Sequence, residues 1–353
     1  MYINQLTLKN FRSYAKESYQ FDPACNLFIG PNGSGKSNLL EALHFLATAK
    51  SYRAEALREL IKIGCNNTAL EISLNDGTRL EAIIVLDAPE SSRAKCVYKV
   101  NGVIKKRLDF LENYYAVFFS PADIRLVIGS PARRRSVLDS LLCQADPAYS
   151  KSCSVYEKAL KQKNELLQNP QNPNSTKVQI VVWNKILATN GEYLQQKRND
   201  FITFANNLLS SLYPKMEVSL KRLVLNYAVR HISQNVLNEN LEREIALKRS
   251  LIGPHRDDFA FVKEGWDLGQ YGSRGEQRTA VFALKLCELA YLENKVSCQA
   301  TLLLDDIFSE LDEFYREKVL NTISGRQSFI TTAEENLIPK TLFNGAKIFR
   351  LEP

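Results

Sequence analysis

The sequence predicts an α/β fold: a mixed sheet with helices built around a phosphate loop and interrupted by an inserted helical lobe. Three observations carry this. Gly30-Pro31-Asn32-Gly33-Ser34-Gly35-Lys36-Ser37 matches G-x-x-x-x-G-K-[ST] between an apolar run and a helical pattern. Strand-like patterns occupy both ends of the chain, and between them apolar residues recur three and four apart over long stretches. The expected division is residues 1–120 and 251–353 for the phosphate-loop lobe and 121–250 for the helical insertion.

Taken in order, Met1–Leu8 alternates and Asn26–Ile29 is a short apolar run. Ala69–Leu74, Arg79–Leu86 and Cys96–Val100 alternate around the turn signals Asn75-Asp76-Gly77 and Asn101-Gly102, which predicts antiparallel hairpins. Lys36 to Ala49 reads as a helix packed on a sheet. Arg133 to about Asn169 and Thr176 to Leu212 read as two long helices around the turn Asn169–Asn174. In the second of these the expected inward residues are Val178, Val181, Val182, Ile186, Phe201, Phe204, Ala205, Leu208 and Leu212. The β/α pattern then returns: a strand at Phe259–Val262, a helix at Gln277–Glu293, a strand at Thr301–Leu304, a helix after Asp312 and a strand at Ser328–Thr331. The two flanking regions are expected to share one sheet.

Composition is globular, with 45% hydrophobic residues in 353. Seven scattered cysteines, none in C-x-x-C, indicate neither a disulfide framework nor a zinc site and fit a reducing cytoplasm. Nowhere do 18 consecutive apolar residues occur, and the start has no apolar signal region, so neither membrane association nor export is expected. Net charge is +7, and Asn101–Asp200 holds 15 Lys/Arg against 9 Asp/Glu, the pattern of a polyanion-binding region. Lys105, Lys106, Arg133, Arg134 and Arg135 are the candidate contacts to nucleic-acid phosphates; the arginine triplet alone reads equally as a solvated helix face.

The chemistry concentrates in three places. In the loop, glycines let backbone N–H groups wrap a phosphate at a helix N-terminus. Lys36 then neutralises β- and γ-phosphates, and the Ser37 hydroxyl ligates Mg²⁺. Thr301-Leu302-Leu303-Leu304-Asp305-Asp306 is an apolar strand ending in two carboxylates, which nothing in the adjacent sequence neutralises. Asp305 is the candidate metal ligand, and Asp306 the residue that orients or deprotonates water. Tyr271-Gly272-Ser273-Arg274-Gly275-Glu276-Gln277 opens an amphipathic helix, either as a second anion site at Ser273 and Gly275 or simply as a capped helix. His255, in Gly253-Pro254-His255-Arg256-Asp257-Asp258, is either a phosphate contact or a structural histidine paired with an aspartate, and Arg12 and Arg53 either reach nucleotide or stay on the surface.

Further segments narrow the reading: Asn10-Phe11-Arg12-Ser13-Tyr14, Lys50-Ser51-Tyr52-Arg53, Phe119-Ser120-Pro121-Ala122-Asp123, Arg133-Arg134-Arg135 with Leu138-Asp139, and Ser309-Glu310-Leu311-Asp312. With the motifs above, the chain resembles the ABC-type ATPase heads of SMC-like proteins and, end to end, the RecF family of bacterial recombination mediators. That resemblance implies ATP and Mg²⁺ as cofactors. It makes Gly30–Ser37 with Asn38 the nucleotide loop, Lys36 and Asp306 the catalytic pair, and Ser37 and Asp305 the metal ligands. Ser273 and Gly275 become a signature acting on a second subunit's nucleotide, and Ser309–Asp312 becomes part of a dimer seam. It implies a homodimer on ATP, binding to duplex DNA and to single-strand/double-strand junctions, and RecA loading with RecO and RecR in repair, replication and the SOS response. Asp306 stands where such heads usually carry Glu, and no histidine stands near Thr331-Thr332-Ala333-Glu334, which implies a slow DNA-dependent ATPase acting as a switch. A small-molecule P-loop kinase and a DNA-binding scaffold stabilised by nucleotide are the alternative readings.

Overall fold

The computed structural model of the chain describes all residues except 89–92, 170–172, 213–221, 310–312 and 353. These residues form two compact units, Met1–Ala122 with Val296–Pro353, and Asp123–Lys295. The first boundary lies close to the one the sequence suggested. The second does not: residues 251–295, expected in the phosphate-loop lobe, fold with the helical unit.

In chain order the first unit contains β1 (Ile3–Phe11), β2 (Tyr14–Gln20), β3 (Cys25–Ile29), α1 (Lys36–Thr48), β4 (Asn67–Leu74), β5 (Arg79–Leu86), β6 (Ala94–Val100), β7 (Val103–Lys105), α2 (Arg107–Leu111) and β8 (Ala116–Phe119). The helical unit follows with α3 (Arg125–Ile128), α4 (Pro131–Ala145), α5 (Pro147–Gln168), α6 (Pro173–Leu212), β9 (Leu223–Ala228), α7 (Gln234–Glu239), α8 (Leu241–Leu247), β10 (Asp258–Lys263), β11 (Trp266–Asp267), α9 (Leu268–Tyr271) and α10 (Arg274–Val296). The chain returns to the first unit with β12 (Thr301–Asp305), α11 (Glu313–Ile323), β13 (Ser328–Thr332), α12 (Lys340–Gly345) and β14 (Lys347–Arg350).

The first unit holds two sheets. One is antiparallel, in the order β2-β1-β4-β5-β6-β7. Asn101 and Gly102, both at positive φ, close its β6–β7 hairpin, the geometry a two-residue turn demands. The other is parallel, in the order β14-β3-β13-β12-β8, and draws strands from both ends of the sequence as expected. Every residue of β3, β8 and β13 is buried, which is how parallel strands covered on both faces read. Leu39, Leu43 and Leu46 of α1 join Phe28, Leu303 and Phe329 of that sheet in one core with the inward residues of the antiparallel sheet.

The strand expected at Phe259–Val262 belongs to neither of these. It is β10, in a separate sheet ordered β11-β10-β9 within the helical unit. The helix expected from Arg133 to Asn169 is broken at Asp146, which ends α4 and caps α5 by accepting from the N–H groups of Ala148 and Tyr149. Pro147 explains the break: it disfavours helical backbone at the residue before it and is at home at a first helical position. In α6 the first expected face is wrong, since Val178, Val181 and Val182 are exposed. Thr176, Ile180, Asn184 and Leu187 face inward instead. Further on, Phe201 and Ala205 are buried and Phe204 and Leu208 half-buried as expected, while the Leu212 side chain and residues 170–172 of the expected turn lie outside the described residues.

Candidate functional site

The phosphate loop is a strand-to-helix turn set by two glycines at positive φ, Gly33 at 90° and Gly35 at 93°. A Cβ at Gly35 would lie 2.8 Å from the Tyr14 hydroxyl, and one at Gly30 would lie 2.4 Å from the Leu351 carbonyl oxygen, so backbone alone fits there. Lys36, the first residue of α1, is buried, and its Nζ donates to the carbonyls of Gly30 (2.6 Å) and Pro31 (2.8 Å). Ser34 Oγ is buried without a hydrogen-bond partner among the described residues. A buried lysine, an unpaired hydroxyl and successive N–H groups at a helix start are the donor set a phosphate chain requires.

The two carboxylates meet this loop. Asp305, at the end of β12, accepts from Ser37 Oγ at 2.9 Å and from Thr331 Oγ1 at 2.7 Å. Thr331, fully buried at the in-register position of β13, also receives the N–H of Asp306 on its hydroxyl (3.0 Å) and on its carbonyl oxygen (3.1 Å). Asp306 is held at φ 46°, a left-handed conformation that turns the chain sharply off the strand. Burial pushes the Asp305 carboxyl upward, opposed by the hydrogen bonds from Thr331 and Ser37. Burial likewise lowers the Lys36 ammonium, opposed by Asp306 and then Asp305. The carboxylate pair, without a neutralising neighbour in sequence, therefore acquires Lys36 in space, and Arg53 also favours ionised Asp305. A desolvated carboxylate paired with a serine hydroxyl suits Mg²⁺, and Ser37 and Asp305 are the residues that could hold it. Thr331 was missed from sequence, although the strand Ser328–Thr331 was read; only strand register puts it beside Asp305.

A scaffold of side chains fixes the first turn of α1. Tyr14 OH donates to the Gly35 carbonyl (3.0 Å), Tyr52 OH to the Ser37 carbonyl (3.0 Å), Asn38 Nδ2 to Ser13 Oγ (3.0 Å) and Arg53 to Asn38 Oδ1 (3.0 Å). Asn38 is thus tied to the hairpin and to Arg53. Arg12 meets neither expectation: its guanidinium grips the fully buried Glu41 at 2.9 and 2.7 Å, and Ser51 donates to the same carboxylate. Asn10–Tyr14 and Lys50–Arg53 therefore buttress the loop. Pro31, Asn32 and Gly33 form its exposed rim.

The signature segment belongs to the helical unit. Ser273, Arg274 and Gly275 are exposed, and among the described residues none outside the helix's own backbone lies within 4 Å of where a Gly275 Cβ would stand. Ser273 and Glu276 form a reciprocal cap, Ser273 N donating to Glu276 Oε2 at 2.9 Å and Glu276 N donating to Ser273 Oγ at 3.3 Å. The Lys263 ammonium, with Ser273, holds the Glu276 carboxyl down at about 2. Ser309 Oγ donates to the Asp306 carbonyl (2.7 Å), while Glu310, Leu311 and Asp312 lie outside the described residues.

The structure takes Arg134 out of the expected nucleic-acid contacts and leaves Arg133 and Arg135 half-buried. Arg134 is buried and bidentate on Asp258 (2.7 and 2.8 Å), with further bonds to the Leu126 and Gly129 carbonyls. Arg135 donates to the Asp257 carbonyl, and Arg133 lies 4.0 Å from the buried Asp123. Much of the basic excess of residues 101–200 is absorbed in this way by acids from later in the chain, Lys163 by Glu244, Lys177 by Glu242 and Arg198 by Asp257. Lys105 and Lys106, at and just beyond the edge strand β7, are exposed. His255 is structural, yet its partners are Tyr156 OH (2.8 Å) and the Ser250 carbonyl (3.4 Å) instead of an aspartate, and burial drives its imidazole down to about 4. Asp257, next but one to it, is the hub of a buried network with Gln195, Tyr227 and Arg198. Among the described residues no group of three or more His, Cys, Asp and Glu could hold a metal ion, and no helix is long and apolar enough to cross a membrane.

Comparison with known proteins agrees with this geometry. The family described as RecF/RecN/SMC N terminal domain matches residues 2–349. The DNA replication and repair protein RecF of Natranaerobius thermophilus is 35% identical, covering 94% of this chain and 91% of its own length. That of Thermosynechococcus vestitus is 36% identical, covering 94% and 90%. Among solved structures, the recombination mediator protein RecF with ATP, of the RecFOR pathway, superposes with a TM-score of 0.85 at 28% identity over 96% of this chain and 93% of that one. An Smc head bound to the C-winged helix domain of ScpA shares the fold at a TM-score of 0.51, 16% identity and coverage of 96% and 91%. The chain has the α/β fold of ABC-type ATPase heads, and it belongs to the RecF/RecN/SMC N terminal domain family, among its RecF DNA replication and repair proteins.

Proposed function

We propose that the chain is an ATP-operated DNA clamp: two copies close on ATP, grip DNA and separate after slow hydrolysis. One observation carries the reading. Ser37 Oγ donates to Asp305 Oδ1 at 2.9 Å, joining a phosphate loop to a carboxylate strand 268 residues away. ATP is the ligand by analogy with the RecF structure solved with it. Lys36 and the loop N–H groups between Asn32 and Gly35 hold the phosphates, Ser37 and Asp305 would hold Mg²⁺, and Mg²⁺ when bound would neutralise charge on the phosphates. Asp306 orients water from a backbone fixed by Thr331. Asp carries its carboxylate on a shorter side chain than Glu, which supports slow turnover.

Closure rests on the signature. Ser273 and Gly275 are exposed at the start of α10, where helix N–H groups attract a second subunit's γ-phosphate. ADP lacks that group, so only ATP has differential affinity for the closed pair. DNA is held through its phosphates by exposed lysines including Lys105 and Lys106, and gapped or junction DNA, RecA loading and the partners RecO and RecR follow from the RecF kinship. The same kinship supports a location in the cytoplasm. The test is size-exclusion chromatography with ATP or ADP, alongside single-turnover hydrolysis. Dimers with ATP alone are expected. Ser273→Arg is expected to bind ATP as a monomer and to lose dimers, and a variant that still dimerises overturns the assignment of the signature. Phosphorylation of an added small acceptor would favour a kinase, and indifference to the γ-phosphate a scaffold.

A further inference from the structure

Two aromatic side chains of the helical unit stand in solvent. Trp266 is 63% and Tyr271 68% exposed, and among the described residues no other Trp, Tyr or Phe is exposed. Their rings meet edge to face, with centroids 5.3 Å apart at 72°. Single exposed apolar side chains are ordinary on a protein surface, whereas a touching Trp–Tyr pair has the composition of an interface centre. The pair is held firmly. Glu264 and Gly265, both at positive φ, close the β10–β11 hairpin and present Trp266 at the start of β11. Asp267 caps α9 by accepting from Gly269 N–H, and Gln277 of α10 donates to the Leu268 and Gly272 carbonyls that bracket Tyr271. Rings fixed before binding lose little freedom on binding.

The pair is also continuous with the signature segment. Lys263, the register partner of Trp266, donates to Glu276, whose carboxylate caps Ser273. Tyr271 is two residues from Ser273, a span of at most about 7 Å, so a surface that reaches Ser273 also reaches the Tyr271 ring. Arg274, exposed beside them, adds the third residue type that dominates interface energetics. On the other side of such a contact, the phosphate loop exposes Pro31, Asn32 and Gly33, a rim that covers aromatic rings without desolvating a charge. We propose that Trp266 and Tyr271 are the apolar anchor of the ATP-closed dimer, each copy's pair packing on the Pro31–Gly33 rim of the other copy's phosphate loop. This rests on the reading of Ser273 and Gly275 as a signature that meets a second subunit's nucleotide. The γ-phosphate then decides when the pair closes, and the aromatic contact, made twice by two-fold symmetry, decides how long it stays closed.

The full-length chain has two tryptophans, Trp183 and Trp266, so Trp183→Phe leaves Trp266 as the single fluorescent reporter. With ATP its emission should shift to the blue and resist acrylamide quenching, over the protein concentrations at which size-exclusion chromatography shows dimers. With ADP it should stay that of an indole in water. Trp266→Ala should bind ATP as wild type does and raise the dimer dissociation constant by about thirtyfold or more. If wild type dimerises with ATP but Trp266 stays open to acrylamide, or Trp266→Ala dimerises equally well, the anchor is overturned and the signature reading stands. If wild type forms no dimers with ATP, both fall. A Trp266→Ala variant that keeps its dimers and loses affinity for single-stranded oligonucleotides would make the pair a base-stacking platform instead. Chromatography of wild type and Trp266→Ala, a change at an exposed position, decides the matter even if Trp183→Phe does not fold.

Discussion

Thr331 shows how much one side chain settles at a catalytic edge. Its hydroxyl donates to Asp305 and accepts from Asp306 N–H, so it orients the carboxylate proposed to hold Mg²⁺ and anchors the backbone of its neighbour. Thr331→Val keeps the shape, and Asp306 N–H retains the Thr331 carbonyl, so folding should survive. ATP hydrolysis should fall by about ten- to a hundredfold with nucleotide binding intact, the usual effect of losing a group that orients a ligand; a wild-type single-turnover rate would refute the role. His255 offers a residue-scale prediction of another kind. Its folded value of about 4 lies below the ordinary 6.5, so the unfolded chain takes up the proton first. The stability it contributes is complete above about pH 6.5 and is lost as pH falls towards 4, by about 3 kcal/mol at most. Urea unfolding of wild type and His255→Gln across that window should converge as pH drops. Parallel curves would show that the imidazole stays as accessible to protons in the fold as outside it.

At the scale of elements, α10 separates what a helix needs from what a site needs. The Ser273–Glu276 cap, with Lys263 on the same carboxylate, completes the helix start, and Gly275 stands one position inside it with no described residue near where a side chain would go. Glycine inside a helix costs about 1 kcal/mol relative to alanine, so Gly275→Ala should raise the melting temperature of the isolated chain. If a partner's phosphate approaches the bare backbone there, the same substitution should weaken ATP-dependent dimers by about tenfold or more. A variant both more stable and equally dimeric would mean that the glycine serves no partner. The α4–α5 break makes a related point: Pro147 decides where one helix ends and another begins, and Asp146 serves both ends.

For the whole molecule, net charge is a poor guide to the surface that meets DNA. Arg134, Lys163 and Arg198 are buried in ion pairs, and a buried charge that loses its partner is costly, so these residues are held by the fold. Lys105 and Lys106 carry the expectation instead. Replacing both with alanine should reduce the slope of log affinity against log salt by about 2 for duplex DNA, irrespective of sequence. An unchanged slope from filter-binding titrations would move the DNA contact elsewhere.

The sequence by itself determined the phosphate loop, the carboxylate strand and the capped signature helix, because each is a local pattern whose backbone geometry dictates its residues. It determined three strands of the parallel sheet too, β3, β12 and β13, whose buried runs are legible in sequence, and missed β8 and β14. Tertiary structure alone decided that Thr331 stands beside Asp305, that Arg12 locks Glu41 and that Arg134 is internal, because these depend on which distant strand or helix arrives as neighbour. The exposed valines of α6 make the same point: helical period fixes which residues share a face, and only packing decides which face turns inward.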